Sequence, residues 1–384
     1  MARQNHFIGL PLPDKPNKTQ QILSMKTNKT IFVPIIAFAW MVMSCNKSSS
    51  PAQVSPSSAQ TTFSNVNTDV AAAIQALNAT PGNKALNSFT NLTNTANPLG
   101  RIGSFRSLKN INDTKAALSA GLASIRMMLL KSTASERVAG TTPFNFADKI
   151  GTYTWSKANH KWGYSPGGGI IKIDYPSDTT SFTNDTELQI TAYTEVQVGS
   201  DYFPTSIETA IYQPISGAKQ LGLSLTASGY DDLGNPNKAS ITFFVNPYSI
   251  TFSFDNSQSL KASESFSFTK GSTTYIATGL SASYASATDQ ANGNPNQVTG
   301  YLQLENVKFN VTLDGTKAAT TNDANQFAVI VITIDGGTAG HVVWVTDPKT
   351  GEQVPYVQYN DKTQQLLSDV FADLETQLNS LANG

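Results

Sequence analysis

From Lys149 onward, apolar side chains recur at every second position, a period that fits strands with one buried face and excludes a helical body for this 384-residue chain. Gly151 to Ser156, Gly169 to Asp174, Glu187 to Val198, Thr205 to Tyr212, Leu221 to Tyr230, Ser240 to Val245 and Ser249 to Phe254 all alternate. Further strands are expected near 263–269, 273–286, 297–305, 307–313, 327–335 and 341–346. Pro166-Gly167-Gly168-Gly169, Ser216-Gly217, Gly234-Asn235-Pro236-Asn237 and Asn246-Pro247 supply the turns between them. Short strands without helical intervals imply an antiparallel meander. The expected fold class is therefore mainly β with flanking α-helices, a curved sheet or partly closed barrel covered by N-terminal and C-terminal helices.

One turn recurs. Gly234-Asn235-Pro236-Asn237 returns as Gly293-Asn294-Pro295-Asn296, and each copy is followed by a strand, an Asn-centred turn (Asn246, Asn306), a second strand and an Asp (Asp255, Asp314). A repeated hairpin explains this better than a solenoid, whose periods are shorter and more numerous. Phe327 to Ile334 is apolar at both parities, so a central strand covered on both sides is expected there.

Helical periods lie outside the sheet region. Residues 69–78 read as a short helix capped by Thr68 or Asp69 and stopped by Pro81-Gly82, while 83–110 read as loop. A second helix is expected from Asp113 to Lys131, with Leu118, Leu122, Ile125 and Leu129 on one stripe. A C-terminal helix from Asp361 to Leu381 aligns Leu367, Val370, Phe371, Leu374, Leu378 and Leu381, and it is expected to lie across the sheet.

The N-terminus reads as an address. The apolar run 31–43 is too short for a bilayer core that needs about 20 residues, and Lys26 and Lys29 precede it as in a secretory signal. Met25 is the better start for such a signal, which leaves 1–24 as an upstream start artefact. The run ends in Val42-Met43-Ser44-Cys45, which resembles a bacterial lipobox, although Met43 stands where a small residue is usual. An ordinary cleaved signal beside a chance cysteine is the simpler alternative. Against it, the chain's single Cys falls where the apolar run ends and a Ser/Pro/Gln stretch, Ser48 to Gln60, begins.

The lipobox, polar tether, helical stretch, Gly151-Thr152-Tyr153-Thr154-Trp155 opening and C-terminal helix together resemble the outer-membrane lipoproteins of Bacteroidota. The resemblance implies cleavage between Ser44 and Cys45 and lipidation of Cys45, and it brings no activity with it. At about 0.8 kcal/mol per buried methylene, two or more acyl chains make the anchor permanent. Surface lipoproteins of that group carry acidic residues after the cysteine, whereas Asn46-Lys47-Ser48-Ser49-Ser50 has none, so a periplasm-facing position is expected and the cell surface is the alternative. The domains read as signal 25–44, disordered tether 45–65, helical segment 66–140, β domain 141–358 and C-terminal helix 359–384.

Charge narrows the partners. Only 14% of residues are Asp, Glu, Lys or Arg and the net charge is −1, so no global basic field points to nucleic acid. The distribution is uneven, with +9 over 46–172 and −14 over 173–384. A basic helical segment packed on an acidic sheet explains the split, and a tether-proximal part facing anionic headgroups is the functional alternative.

Catalytic chemistry finds little to work with. One Cys and three His exclude disulfide frameworks and Cys/His zinc sites, and neither a G-x-S-x-G nor an H-E-x-x-H occurs around His160 or His341. Gly167 to Gly169 leads into a strand and reads as a turn, not a phosphate cradle. Asp231-Asp232 with Gly234, Asn235 and Asn237 lacks the spacing of a calcium loop. Glu187, Glu195, Asp201, Glu208, Asp231 and Asp232 leave a paired-carboxylate glycoside hydrolase as the remote enzyme reading. No metal and no cofactor is expected.

The aromatic pairs Tyr153/Trp155 and Trp162/Tyr164 are the candidate ligand platform. Exposed, they would stack sugars; buried, they are cross-strand packing. The resulting expectation is a non-enzymatic envelope protein, held to outer-membrane lipid through acylated Cys45, that binds an apolar ligand such as a lipid. It is similar in outline to periplasmic lipoprotein carriers and other lipid-binding half-barrels. A carbohydrate-binding module is the runner-up.

Overall fold

The structure is a computed structural model and describes residues 52–95, 97–99, 142–232 and 234–382. The expected signal, Ser44, Cys45 and the expected helix 113–131 lie outside the described residues. Sixteen strands form one open curved sheet in the order β16-β15-β14 and so on down to β3, then β1 and β2. The strands are β1 Gly151–Ser156, β2 Lys161–Pro166, β3 Ile171–Tyr175, β4 Thr186–Val198, β5 Asp201–Gln213, β6 Ala218–Tyr230, β7 Pro236–Val245 and β8 Tyr248–Asp255. Then come β9 Lys261–Lys270, β10 Thr273–Ser283, β11 Gln297–Leu304, β12 Val307–Asp314, β13 Ala328–Ile334, β14 Gly337–Thr346, β15 Gln353–Tyr359 and β16 Gln364–Leu366. Every neighbour pair is antiparallel except β1 with β3, which run parallel.

This topology sorts the connections onto two ends. The near end gathers 157–160, 176–185, 214–217, 246–247, 271–272, 305–306, 335–336 and 360–363. The far end gathers 167–170, 199–200, 231–235, 256–260, 284–296, 315–327 and 347–352. The repeated turn appears as two equivalent hairpins, β7–β8 and β11–β12, closed at the far end by Asn256 N–H to Asn237 O and Gly315 N–H to Asn296 O.

Helices cover the inner face. Helix α1, Pro56–Asn78, is capped by Ser55 and buries Ala59, Phe63, Val66, Val70, Ile74 and Leu77 along one stripe. It starts well before the expected Asp69, so residues 56–65, expected as disordered tether, are helical. Ser, Thr, Gln and Asn in its first turns hide the stripe by their low helix propensity. Pro81-Gly82 does end α1, but Pro81 also opens α2, Pro81–Thr95, where a loop was expected. Proline suits a first helical turn because its missing N–H is not needed there. A Cβ on Gly82 would meet the Gln220 carbonyl oxygen at 2.4 Å, so α2 rests directly on the β6 backbone.

Three short helices occupy far-end connections: α3 Ala287–Asn292, α4 Gly315–Ala318 and α5 Ala324–Phe327. The C-terminal helix begins later than expected, because β16 intervenes before α6, Leu367–Val370, and α7, Ala372–Ala382. Leu367, Val370, Phe371 and Leu374 are buried as the stripe requires. Phe371 lies 5.8 Å from Phe63 and 5.9 Å from Phe309, so α1, the C-terminal segment and β12 meet in one apolar junction. The buried Asn67 ties it further, donating to Asp373 at 2.8 Å and accepting the Leu374 N–H at 2.8 Å.

Strand β13 departs from the expectation of two covered sides. Ile330, Ile332 and Ile334 are buried on the inner face, but Val329 on the outer face is 37% exposed. Apolar residues at both parities therefore do not require a second covering layer here. Elsewhere the outer face is hydroxyl-rich, with Ser253 and Ser265 bonded at 2.7 Å across β8 and β9.

Candidate functional site

The aromatic hairpin forms in the register that its spacing implies: Tyr153 faces Tyr164 and Trp155 faces Trp162. The ring centroids are 4.9 Å and 5.1 Å apart. Both pairs point to the inner face. Tyr153 and Trp155 are buried, Trp162 packs against the same core, and only Tyr164 is largely exposed, at 51%. The Tyr153 hydroxyl donates to Lys149 O and that of Tyr164 to Ile150 O, so both hydroxyls bind the hairpin's own backbone. Burial raises the Tyr153 pKa, helped by the neighbouring Tyr164. Most of this ladder is packing, with one ring left for stacking.

The carboxylates are separately engaged. Glu187 pairs with Lys172 at 3.1 Å, Glu195 accepts from Phe144 N–H and the Tyr193 hydroxyl, and Glu208 accepts from Ser224. Asp231 accepts from the Asn235 backbone at 2.8 Å and its side chain at 2.9 Å, which makes this segment a closed turn. Asp201 and Asp232 lie at different places on the far end, Asp201 opening β5 and Asp232 following β6. Glu187 and Glu195 are eight residues apart on β4, a span of roughly 27 Å at 3.4 Å per residue, far beyond glycosidase spacing. Asp174 sits opposite Glu187, and burial followed by that neighbour raises its pKa, while Lys172 opposes the rise.

The histidines lie apart. His160 lies at the β1–β2 turn with its ring 6.4 Å from Trp155. His341 lies on β14 opposite Gln358, and burial, then Lys362, lowers its pKa. Among the described residues no three His, Cys, Asp or Glu side chains are grouped to hold a metal. None of the described helices is long and apolar enough to cross a membrane.

Three features escaped sequence reasoning. Ala52 O accepts the Thr338 N–H, Val54 N–H donates to Thr338 O, and the Asn360 side chain donates to both Val54 O and Thr338 O. The chain that follows Cys45 is thus fastened to the near end seven residues later. Tyr175 is fully buried beside Phe89, its hydroxyl has no partner among the described residues, and burial pushes its pKa well up. Phe182 and Ile215, 78% and 89% exposed, project from near-end connections. Isolated apolar residues in polar turns carry no period, so only exposure in the fold reveals them.

Comparison with known proteins yields no matching family model, no matching curated protein and no matching solved structure.

Proposed function

We propose that this chain is a lipid-anchored cell-envelope protein, held in the outer membrane by acylated Cys45 and facing the periplasm, whose β body is non-enzymatic and acts as a binding or bracing element. The observation that carries this reading is the fastening of Ala52–Val54 to Thr338 and Asn360. A tether that only needed reach would not require it. A chain that transmits position from an anchor to a sheet does. The own-chain helices on the inner face support bracing, or binding at an edge, over a wide internal lipid cavity. Sugar stacking keeps one specific support, the exposed Tyr164 ring at the sheet edge. The test is metabolic palmitate labelling of the wild type and of Cys45→Ala. Label on the wild type alone, with Cys45→Ala lost from the membrane fraction, is the expected result. An unlabelled wild type would overturn it.

A further inference from the structure

We infer that the near end of the sheet docks onto the lipid leaflet itself, with Phe182 and Ile215 entering the interfacial layer and Lys157 beside them meeting the headgroups. This deepens the anchored reading and rests on it for the identity of the surface. Phe182 and Ile215 are the two most exposed large apolar side chains among the described residues. They are not scattered. Glu187 at the start of β4 faces Tyr212 near the end of β5, so the 176–185 and 214–217 connections sit side by side. Lys157, on the neighbouring β1–β2 turn, lies 4.8 Å from the Phe182 ring centroid and donates to Thr180 O. Lys219, at the start of β6, turns back along its strand instead, with its ammonium 5.8 Å from the Phe244 ring centroid and against Gly222.

Apolar tips beside a long cationic side chain match a membrane interface, where rings and aliphatic groups enter the acyl boundary and a lysine reaches phosphate. Two acids share the 176–185 segment, and both are already engaged: Asp178 accepts from Thr180, and Asp185 from Ser177. Charge over the whole sheet points the same way. Counting each connection with two flanking strand residues per side, the near end holds seven carboxylates and six lysines, the far end nine and four. An anionic leaflet therefore repels the far end more strongly. The route of the chain agrees. Ala52 is fixed at the near end, and the seven residues back to Cys45 reach at most about 25 Å, so the acyl chains cannot be carried past the far end.

The single native cysteine makes the test specific, because an acylated Cys45 leaves an introduced thiol as the only reactive one. Ser216→Cys and, at the far end, Thr350→Cys are labelled with an environment-sensitive fluorophore in the mature lipoprotein. Each is placed in vesicles of phosphatidylethanolamine and phosphatidylglycerol containing nitroxide-labelled lipid. Position 216 should show blue-shifted emission quenched by nitroxide, position 350 water-like emission without quenching. Adding Phe182→Asp and Ile215→Asp to Ser216→Cys should abolish the shift while the protein stays vesicle-bound through its acyl chains. Equal, water-like emission at both positions would overturn the docking, as would a shift that survives the two Asp substitutions. Palmitate labelling reports separately on the anchor, so either claim can fail alone.

Discussion

The two ends of the sheet are built differently from the same repeating strands. At the near end, four connections need only two residues, 246–247, 271–272, 305–306 and 335–336, and α1 and α2 meet the sheet close behind them. At the far end the connections lengthen to 284–296 and 315–327 and carry three short helices. Longer connections leave more backbone N–H groups to satisfy, and Asp side chains accept from them. Asp231, Asp255, Asp314, Asp323 and Asp347 each take a backbone N–H in a turn or at a helix start. Much of the far end's acidity is thus turn and cap chemistry. The near end is braced by packing, and its apolar tips project from two of its longer connections, 176–185 and 214–217.

If packing braces the near end, the largest effect comes from its aromatic junction. Phe63→Ala removes a buried ring that faces Tyr359 at 6.2 Å and Phe371 at 5.8 Å, and should cost about 3–5 kcal/mol by denaturant unfolding. Thr350→Ala, on an exposed far-end turn, should stay within about 0.5 kcal/mol. Similar losses for both would erase the contrast.

Asn67→Ala sharpens it. It leaves the Leu374 N–H and the Asp373 carboxylate without their partner, at a cost of about 1–3 kcal/mol. Exchange of the α7 amides should rise before that of the far-end strands. Unchanged α7 protection would show that the apolar junction alone holds the C-terminal segment.

The smallest effect belongs to the far end and depends on pH. Asp255 bonds Lys238 and Ser257, which lowers its pKa to about 2. The unfolded chain, with an Asp pKa of about 3.9, binds the proton more readily, so this contribution is present above about pH 4 and is lost as pH falls toward 2. Asp255→Asn should flatten the acid side of the melting-temperature profile in that window and leave its neutral side nearly parallel to the wild type. An unchanged acid slope would remove the carboxylate from the account.

Period two made most strands, the hairpin repeat and the Tyr153/Tyr164 and Trp155/Trp162 pairings legible, because one buried face leaves alternation in the residues themselves. Alternation does not say which face is covered, so the ladder's inward orientation emerged only with the fold. The second half of α1, 69–78, was legible, but its first half and α2 were hidden for opposite reasons: polar residues of low helix propensity diluted the early stripe of α1, and a proline that starts α2 read as a stop. The candidate docking tips were illegible, since Phe182 and Ile215 gain meaning from adjacency across β4 and β5, which pairing alone creates.

The central claim is that the near end is the membrane side, and hydrogen–deuterium exchange tests it without altering a residue. The mature protein on phospholipid vesicles is compared with the same protein in mild detergent. Added protection should fall on the 176–185 and 214–217 connections and leave 284–296 and 315–327 unchanged. Protection concentrated on the far-end connections would contradict the claim, and so would no difference at either end.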